Sequence, residues 1–286
     1  MRPFSLCKAD KIKKLFFTGF NMDLILLFKA FFLGLVEGAT EFLPVSSTGH
    51  LIIVGDLLDF NDSKGIVFEI VIQLGAILAV CFKFRKRLSN TITHLFTEPS
   101  AQGFAVNLII AFMPAALLGL VFHDYIKAYL FSPITVAVAL IVGGFAILLI
   151  EKFTKHSTTQ QIEAITKTQA LKIGLAQSLA LVPGVSRAGA TILGGMVFGL
   201  TRQTATEFSF FLAIPIMFAA TGYDLLKSWQ LLSIADVPMF AVGFITAFLS
   251  ALLVIKVLIK YVANHDFTAC AWYRIIFGTI VLIYFW

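Results

Sequence analysis

Residues 37–50 read EGATEFLPVSSTGH and interrupt a chain that otherwise consists mainly of Leu, Ile, Val, Ala and Phe. The stretch contains two carboxylates, a cluster of hydroxyls and one imidazole, with apolar sequence on both sides. Burying such groups costs free energy unless they are paired or hydrogen-bonded. Their position therefore indicates a polar site inside an apolar protein.

The composition around this stretch is that of a membrane protein. Of the 286 residues, 59% are hydrophobic and 13% are charged, and the mean hydropathy is +0.92. Soluble domains average roughly 45–50% apolar and about 25% charged residues. Apolar runs of about 20 residues recur along the chain, which is the length a helix needs to cross the hydrocarbon core. The sequence therefore predicts an all-α, polytopic membrane protein embedded in the bilayer.

Charge and cysteine content exclude other classes of protein. The net charge is +6, but the basic residues cluster at the ends of segments, as membrane loops require, so we expect no nucleic-acid partner. The cysteines Cys7, Cys81 and Cys270 are far apart and form no CxxC or Cys/His pattern. Neither a disulfide framework nor a zinc site is expected.

Apolar segments follow one another along the chain, with breaks of two kinds. They fall near residues 24–36, 42–58, 66–82, 104–122, 133–150, 171–182, 189–200, 208–226, 238–259 and 269–286. The first two, and the pair at 171–182 and 189–200, are short or polar, and each pair is broken by a turn, LPVSSTG or VPGVSRAG. Irregular backbone at membrane depth persists only where it is buried in protein or lines a wet cavity. We therefore predict about six transmembrane helices plus two re-entrant helical hairpins.

The two broken regions match each other at an offset of 140 residues. The identities that carry the match are Gly34, Ser46, Gly49 and Gly55 with Gly174, Ser186, Gly189 and Gly195. Glu37 meets Gln177, a near match. Paired, interrupted apolar segments in two halves of a chain are typical of an inverted repeat with a site near the bilayer midplane. We predict a single membrane domain over 22–286, made of two repeats at roughly 22–132 and 133–286.

The basic residues predict the orientation. One cluster lies at 83–87 and another at 152–172, and both are expected to be cytoplasmic. The first hairpin then enters the membrane from outside, and the N-terminus is external. Residues 1–21 carry several Lys and Arg residues against one acid, which suits an external end poorly. We expect them to be a basic extension upstream of a true start at Met22.

The carboxylates of the first turn predict a charged site. Glu37 and Glu41 are four residues apart, so on a helix both share one face. Like charges repel there unless a cation or a shared proton reconciles them. A hard divalent cation such as Mg²⁺ prefers one or two carboxylates plus phosphate oxygens. The alternative is a protonated, hydrogen-bonded pair that holds the hairpin together.

The hydroxyls that follow Pro44 predict a nucleophile or an anion site. Ser46, Ser47 and Thr48 stand where the next helix begins, and the free N–H groups of a helix start can bind an anion. His50 lies three residues after Ser47, within reach on a helical turn to act as its base, and a serine needs such activation. The alternative is a Ser/Thr N-cap beside a histidine whose hydrogen bonds are satisfied.

The second turn, PGVSRAGAT at residues 183–191, supplies a cation. Pro183 and Gly184 shape the bend, and the polar groups are Ser186, Arg187 and Thr191. The planar guanidinium of Arg187 suits the oxygens of a phosphate. It could equally pair with a carboxylate of the first turn. Together the two turns favour phosphoryl transfer or phosphate-ester hydrolysis.

EGATEFLPVSSTGH and PGVSRAGATI resemble the two motifs of the bacterial undecaprenyl-diphosphate phosphatases, the bacitracin-resistance family. The resemblance extends over nearly all of the chain from Met22 onward and includes FEIVIQLGAILAV, FHDYIK, EFSFFLAIP and DVPMFAVGFITAF. One position departs from the pattern. The family usually reads Ser-Arg-Ser in its second motif, and here Ala188 follows Arg187, so a hydroxyl at position 188 is dispensable or replaced.

This resemblance implies a multi-pass enzyme of the bacterial inner membrane, with its active site facing the periplasm. It implies removal of the terminal phosphate from a C55 prenyl diphosphate lipid, which recycles the carrier for peptidoglycan synthesis. From the paired carboxylates we expect Mg²⁺ or Ca²⁺ as cofactor. The expected catalytic residues are Glu37, Glu41, Ser47, His50 and Arg187, with Glu37 and Glu41 also the metal ligands. The expected substrate-binding residues are Ser46, Thr48, Gly184, Ser186 and Thr191. Ser47, His50 or an activated water remain alternatives for the nucleophile, and a homodimer remains open.

Two other functions are consistent with parts of the pattern. Inverted repeats with broken helices are also how transporters are built, so a lipid flippase that uses the same residues to bind a headgroup is the alternative. A type-2 phosphatidic-acid phosphatase would share the lipid-phosphate chemistry. That family requires Lys-x6-Arg-Pro and Ser-Arg-x5-His-x3-Asp, and this sequence contains neither. The motifs therefore favour the diphosphate phosphatase.

Overall fold

The computed structural model describes residues 24–60, 63–154, 157–228, 230 and 233–286. In this part of the chain the protein is built from α-helices joined by turns and short 3₁₀ segments, and it contains no β-strand. The predicted all-α class is confirmed. The predicted basic extension, residues 1–21, lies outside the described residues.

The helices form a short pair followed by long helices, and this order occurs twice. In chain order they are α1 (Leu24–Thr40), α2 (Ser47–Leu57), α3 (Ser63–Lys83), α4 (Arg85–Thr93), α5 (Pro99–Tyr129), α6 (Pro133–Phe153), α7 (Lys167–Gln177), α8 (Arg187–Val197), α9 (Arg202–Ser228), α10 (Val237–Val262) and α11 (Thr268–Phe285).

The long helices supply the membrane spans. Among the described residues, the helices long and apolar enough to cross a bilayer are α5, α6, α9, α10 and α11. Helix α3 joins them if it is counted with α4, from which it is bent by 72°. Their outer faces carry exposed large apolar side chains such as Val121, Val142 and Leu253, and a belt of this kind faces lipid rather than water. The predicted polytopic membrane protein with about six spans is confirmed.

The short helices are broken where the sequence predicts. Helices α2, α7 and α8 have 11 residues each, so at 1.5 Å per residue each covers about half of a hydrocarbon core of about 30 Å. Helix α1 ends at Thr40 and α2 begins at Ser47. Helix α7 ends at Gln177, and a 3₁₀ turn at Ser178–Leu181 leads to α8, which begins at Arg187. Both breaks hold the residues of the two motifs.

The two turns have the same backbone geometry at matching positions. Ser46 and Ser186 each adopt a positive φ, 69° and 76°, and each precedes a helix as its N-cap. Their hydroxyls accept hydrogen bonds from the backbone N–H groups of Gly49 and Gly189, at 3.4 and 3.1 Å. A side-chain cap satisfies one of the free donors of a helix start. A common device therefore starts both helices after their turns.

The helices that lead into the two turns, α1 and α7, pack very closely against long helices. Helix α1 lies so close to α10 that a Cβ on Gly34 would stand 2.4 Å from the carbonyl oxygen of Gly243. Helix α7 approaches α5 equally closely, because a Cβ on Gly174 would stand 2.4 Å from the carbonyl oxygen of Ala111. Only glycine permits such contacts. Gly34 and Gly174 are one of the pairs that match in the sequence.

The helix order bears on the division into repeats. Each short pair is followed by long helices, and the last long helix of each set, α6 and α11, pack against each other: a Cβ on Gly278 would stand 2.9 Å from the Ala137 carbonyl oxygen. The predicted boundary at residues 132 and 133 stays a prediction. The inverted repeat itself stays a prediction.

Candidate active site

The two turns meet at an ion pair. Nη2 of Arg187, the first residue of α8, donates to Oε1 of Glu41, just after α1, at 2.8 Å. The two side chains are 13% and 7% exposed, so the pair is largely withdrawn from solvent. The hydroxyl of Ser186 also donates to the carbonyl oxygen of Leu43, at 3.4 Å. Folding therefore joins two motifs that lie far apart in the sequence.

Ser47 completes a three-residue cluster with this pair. Its hydroxyl donates to Oε2 of Glu41, the carboxylate oxygen that does not bind Arg187. Ser47 is buried at the first position of α2, so the N-terminus of that helix points to the cluster. A carboxylate that accepts from a serine hydroxyl can take its proton, which is the arrangement that activates a weak nucleophile.

Arg187 is held from several sides, but one of its nitrogens lacks a partner among the described residues. Its Nη1 donates to the carbonyl oxygen of Ser209 at 3.3 Å, and its guanidinium carbon lies 5.6 Å from the centre of the Phe42 ring. Within the described residues, its Nε is buried without a hydrogen-bond partner. Leaving a buried donor unpaired is costly. The unpartnered Nε–H therefore indicates that this site binds a ligand with a hydrogen-bond acceptor.

A cavity of about 210 Å³ opens beside the cluster. The predicted site residues that line it are Glu41, Ser46, Ser47, Thr48, Gly184, Ser186 and Arg187. Its remaining wall includes Gln73 of α3, Gln177 of α7 and apolar side chains such as Leu181 and Met217. A lining that combines polar and charged groups with apolar side chains suits an amphiphilic ligand with an anionic head.

The family model described as Bacitracin resistance protein BacA matches residues 30–280. The chain belongs to the BacA family. It is similar to the undecaprenyl-diphosphatase of Methylobacillus flagellatus, with 66% identity over 270 residues that cover 93% of this chain and 100% of that protein. The undecaprenyl-diphosphatase of Nitrosospira multiformis is 57% identical over 262 residues, which are 92% of this chain and 96% of that protein. The resemblance inferred from the two motifs is confirmed.

In this BacA family member, His50 faces away from Ser47. Its Nδ1 lies 2.7 Å from the carbonyl oxygen of Ser46, its Nε2 lies 2.6 Å from the hydroxyl of Tyr273, and its ring stacks on Phe277 at 4.3 Å. A carbonyl oxygen only accepts, so Nδ1 carries the proton and donates to it. The contacts described for His50 include no hydrogen bond to Ser47, whose partner is Glu41. The structure thus does not bring the expected serine–histidine pair together.

Two other expected residues stand behind the cavity wall. Glu37 lies one turn before Glu41 on α1 and is 1% exposed. The hydroxyl of Thr191 lies 2.6 Å from that of Ser209 and donates to the Arg187 carbonyl oxygen at 3.0 Å. Thr191 therefore braces the helix that carries Arg187. Ala188, at the position where the family usually has serine, is 1% exposed in the hydrophobic core and offers nothing to the cavity.

Sequence reasoning missed two polar residues of the interior. The amide of Gln177 lines the cavity, and neither its nitrogen nor its oxygen has a hydrogen-bond partner among the described residues. Arg274 lies on α11, is 1% exposed, and donates to backbone carbonyls of both turns. The signal for Arg274 was an arginine within the last apolar segment, since ionisable residues inside a membrane are functional by default.

Proposed function

We propose that this chain hydrolyses undecaprenyl diphosphate to undecaprenyl phosphate and inorganic phosphate. The observation that carries the proposal is the convergence of Ser47 and Arg187 on the two oxygens of Glu41 in the lining of a cavity among apolar helices. A nucleophile, a base and an anion clamp are the parts that cleavage of a phosphoanhydride requires. The names of the similar proteins support the same substrate.

Glu41 is the base in the proposed reaction. The Ser47 Oγ attacks the terminal phosphorus while Glu41 Oε2, which already accepts its hydrogen bond, takes the proton. The bond from that phosphorus to the bridging oxygen breaks, and the bridging oxygen leaves on undecaprenyl phosphate. Glu41 passes the proton it has taken to the departing undecaprenyl phosphate and becomes a carboxylate again. Water then attacks the phosphoserine and gives a proton to Glu41. The bond from phosphorus to Ser47 Oγ breaks, Oγ takes that proton from Glu41, and inorganic phosphate leaves. The hydrogen bond from Ser47 favours this route over a His50 nucleophile or a water activated by His50.

The hydrogen-bond donors that line the cavity bind the diphosphate in the proposed reaction. Arg187 supplies its guanidinium, including the unpartnered Nε, and Gln177 supplies an unpartnered amide. Helices α2 and α8 both begin at the cavity, so their first N–H groups and the hydroxyls of Ser46, Thr48 and Ser186 face the same space. The prenyl chain extends along the apolar wall into the bilayer.

A divalent cation, Mg²⁺ or Ca²⁺, fits this donor set when it arrives with the substrate. Both oxygens of Glu41 already accept hydrogen bonds, and the described residues contain no group of three His, Cys, Asp or Glu side chains that could hold a metal. Mg²⁺ needs only one or two carboxylates when phosphate oxygens complete its shell. Glu41 would hold the cation, which would neutralise charge on the phosphates. Glu37, the other expected metal ligand, does not line the cavity, so it would not reach a cation held there.

The proposed location is the bacterial inner membrane, with the cavity open to the periplasm. The clusters of basic residues at 83–87 and 152–172 support a cytoplasmic position for the opposite side. A periplasmic site would return the lipid carrier to peptidoglycan synthesis after each round of polymerisation, and dephosphorylation of the lipid confers resistance to bacitracin. All residues of the proposed site belong to one chain, and the homodimer stays an open alternative.

Phosphate release from C55 prenyl diphosphate by the detergent-purified protein tests the function. We expect release by the wild type that falls with EDTA and returns with Mg²⁺. We expect Glu41→Gln and Ser47→Ala to lower kcat by about 1,000-fold or more, since each removes a member of a unit that acts together. Lipid binding without hydrolysis by the folded wild type would contradict the proposal and favour a flippase that uses the same residues for a headgroup.

A further inference from the structure

Arg274 is buried in the interior and donates hydrogen bonds through all three of its guanidinium nitrogens. Its Nη1 donates to the carbonyl oxygens of Pro44 at 3.1 Å and Val185 at 2.9 Å. Its Nη2 donates to those of Gly184 at 2.9 Å and Ala139 at 3.0 Å, and its Nε to that of Leu140 at 3.3 Å. A guanidinium has five N–H donors in a fixed planar fork. Each of the five is therefore used, and each is used on a backbone carbonyl.

These carbonyls belong to three different parts of the fold. Pro44 is in the first turn, Gly184 and Val185 are in the second, and Ala139 and Leu140 are in helix α6. One rigid group on α11 thus fastens both turns to a transmembrane helix. The nucleophile Ser47 follows Pro44 by three residues, and Arg187 follows Val185 by two.

Arg274 holds this position without a carboxylate partner. Among the ion pairs described in the structure, none involves Arg274, although its side chain is 1% exposed. A buried charge is expensive unless it is paired and hydrogen-bonded. Here the dipoles of the backbone carbonyl groups take the place of a counter-ion. The Arg274 charge is therefore stabilised by hydrogen bonds to these carbonyl oxygens rather than by a salt bridge.

The surrounding chain leaves room for the guanidinium. A Cβ on Gly143 of α6 would stand 2.0 Å from Nη2 of Arg274 and 2.6 Å from its Cζ. A Cβ on Gly189 of α8 would stand 3.3 Å from Nη1. The cavity that holds Glu41, Ser47 and Arg187 is not lined by Arg274, so the guanidinium lies behind the turns and does not touch the substrate.

We propose that Arg274 is a positioning residue for the hydrolysis, which sets the distance and angle between Ser47 on the first turn and Arg187 on the second. Apart from the hydrogen bonds of Arg274, the side-chain links between the turns among the described residues are the Arg187–Glu41 pair, the Ser186 contact to Leu43 and the Arg187 guanidinium over the Phe42 ring. Each of these involves Ser186 or Arg187, which line the cavity. Arg274 supplies a link that does not change when substrate enters and the pair at Glu41 is rearranged. This inference rests on the function proposed above.

Substitution of Arg274 tests the positioning role. Arg274→Met removes every donor, and Arg274→Lys keeps the charge but has three donors on a flexible stem. We expect both to lower kcat about 100-fold while KM changes by less than about threefold, because a displacement of about 1 Å at a reacting pair costs rate more than binding. The kcat of Arg274→Lys should be no higher than that of Arg274→Met. This comparison separates the geometry of the guanidinium from its charge.

Arg202→Met is the matched control. Like Arg274, Arg202 links α6 to another helix. It lies on α9 and donates to the carboxylate of Glu151 on α6 at 2.5 and 3.1 Å. Its loss should lower the Tm and leave kcat of the folded enzyme within about twofold of the wild type. If Arg274 were merely structural, Arg274→Met would behave in the same way. A wild-type kcat in folded Arg274→Met would overturn the proposal.

Gly143→Ala tests the role with the arginine in place. Its added methyl group would displace the guanidinium from the carbonyls, so we expect a loss of kcat in the same direction as for Arg274→Met. The double variant Gly143→Ala/Arg274→Met should be no slower than Arg274→Met alone, since both act through one group. If the Arg274 variants fail to fold, this variant decides alone, and a wild-type kcat in Gly143→Ala then overturns the proposal.

Amide hydrogen exchange separates failure of this inference from failure of the proposed function. It needs no turnover, so it can be read even if the wild type releases no phosphate. We expect Arg274→Met to speed exchange at residues 45–49 and 185–189 together, and Arg202→Met to leave both segments as in the wild type. Unchanged exchange in both turns of Arg274→Met would show that Arg274 does not hold them.

Discussion

The turn at residues 41–46 and the turn at residues 178–186 share a backbone but differ in their chemistry. In both, a serine with positive φ caps an 11-residue helix and accepts from the glycine N–H three residues later. In both, the first residue of that helix faces the same cavity. The common geometry therefore presents one side chain at a fixed place, and the identity of that side chain decides what each turn contributes.

The side chains at matching positions divide the work between the two turns. The first turn has Glu41, Ser47 and His50 where the second has Leu181, Arg187 and Ala190. Only the first can supply a nucleophile and a base, and only the second supplies a cation. The site is therefore asymmetric, and the residue that begins each helix, Ser47 or Arg187, makes much of the difference.

The largest effect expected at the second turn is that of Arg187→Lys. Lysine keeps the charge but cannot reach the Glu41 carboxylate, the Ser209 carbonyl oxygen and a phosphate oxygen with one planar fork. We expect kcat/KM for C55 prenyl diphosphate to fall about 100-fold, the usual loss for a donor that stabilises developing charge.

Arg87→Lys is the control for that measurement. Arg87 pairs with Glu163 in a partly exposed position away from the cavity, and pairs of this kind contribute little. Its kcat/KM should equal that of the wild type. If Arg187→Lys were equally active, charge alone would suffice at the second turn, and the contrast between the turns would not depend on guanidinium geometry.

His50 offers the next test, because the second turn has no counterpart to it. Its Nδ1–H donates to the Ser46 carbonyl oxygen, one residue before the nucleophile. We expect His50→Gln to lower kcat about 10-fold through a shift of Ser47. The acid limb of the pH–rate profile should persist, since Glu41 is the proposed base and still accepts from Ser47.

Tyr273→Phe is the matched variant for His50. It removes the hydroxyl group that hydrogen-bonds to His50 Nε2, and it leaves the hydrogen bond from Nδ1 to the Ser46 carbonyl oxygen in place. Its kcat should fall less than that of His50→Gln. Loss of the acid limb in His50→Gln, with the limb retained in Tyr273→Phe, would make the histidine the base and would contradict the role given to Glu41.

Sequence reasoning located the two turns but could not place every side chain in them. The breaks, the charged residues and the helix starts follow from local signals such as Pro44 and the serines, so the fold class and most of the cavity could be predicted. Ser47 and His50 are three residues apart and share a helical face in principle. Their separation is decided by α11, whose Tyr273 and Phe277 draw the imidazole away. That contact spans more than 200 residues of sequence.

Gln177 tests the near match between the hairpins, in which it stands opposite Glu37. Its buried amide lines the cavity without a partner in the described part of the chain, so a bound phosphate would satisfy it. We expect Gln177→Leu to raise KM about 5-fold, the worth of one neutral hydrogen bond, with little change in kcat. Gln160→Leu, at an exposed loop position, is the control. An unchanged KM in Gln177→Leu would remove this residue from the binding site.

The smallest expected effects concern the shared backbone itself. Ser46→Gly and Ser186→Gly each lose a cap hydrogen bond, which costs only a few tenths of a kcal/mol when glycine replaces serine. They also release a positive φ that costs a non-glycine residue about 1–2 kcal/mol. Both variants should therefore be as stable as the wild type or more stable, as measured by unfolding in mixed micelles.

Ser132 of the α6 N-terminus is the control for these caps. Its hydroxyl accepts from the Thr135 N–H at 3.1 Å, but its φ of −133° is ordinary. Ser132→Gly should therefore cost stability where Ser46→Gly and Ser186→Gly do not, while the alanine change should cost about 1 kcal/mol at all three positions. If the three glycine variants were equally destabilised, the strained φ would carry no energy. The two turns would then share a backbone shape, but the positive φ of Ser46 and Ser186 would not store strain that the surrounding structure has to offset.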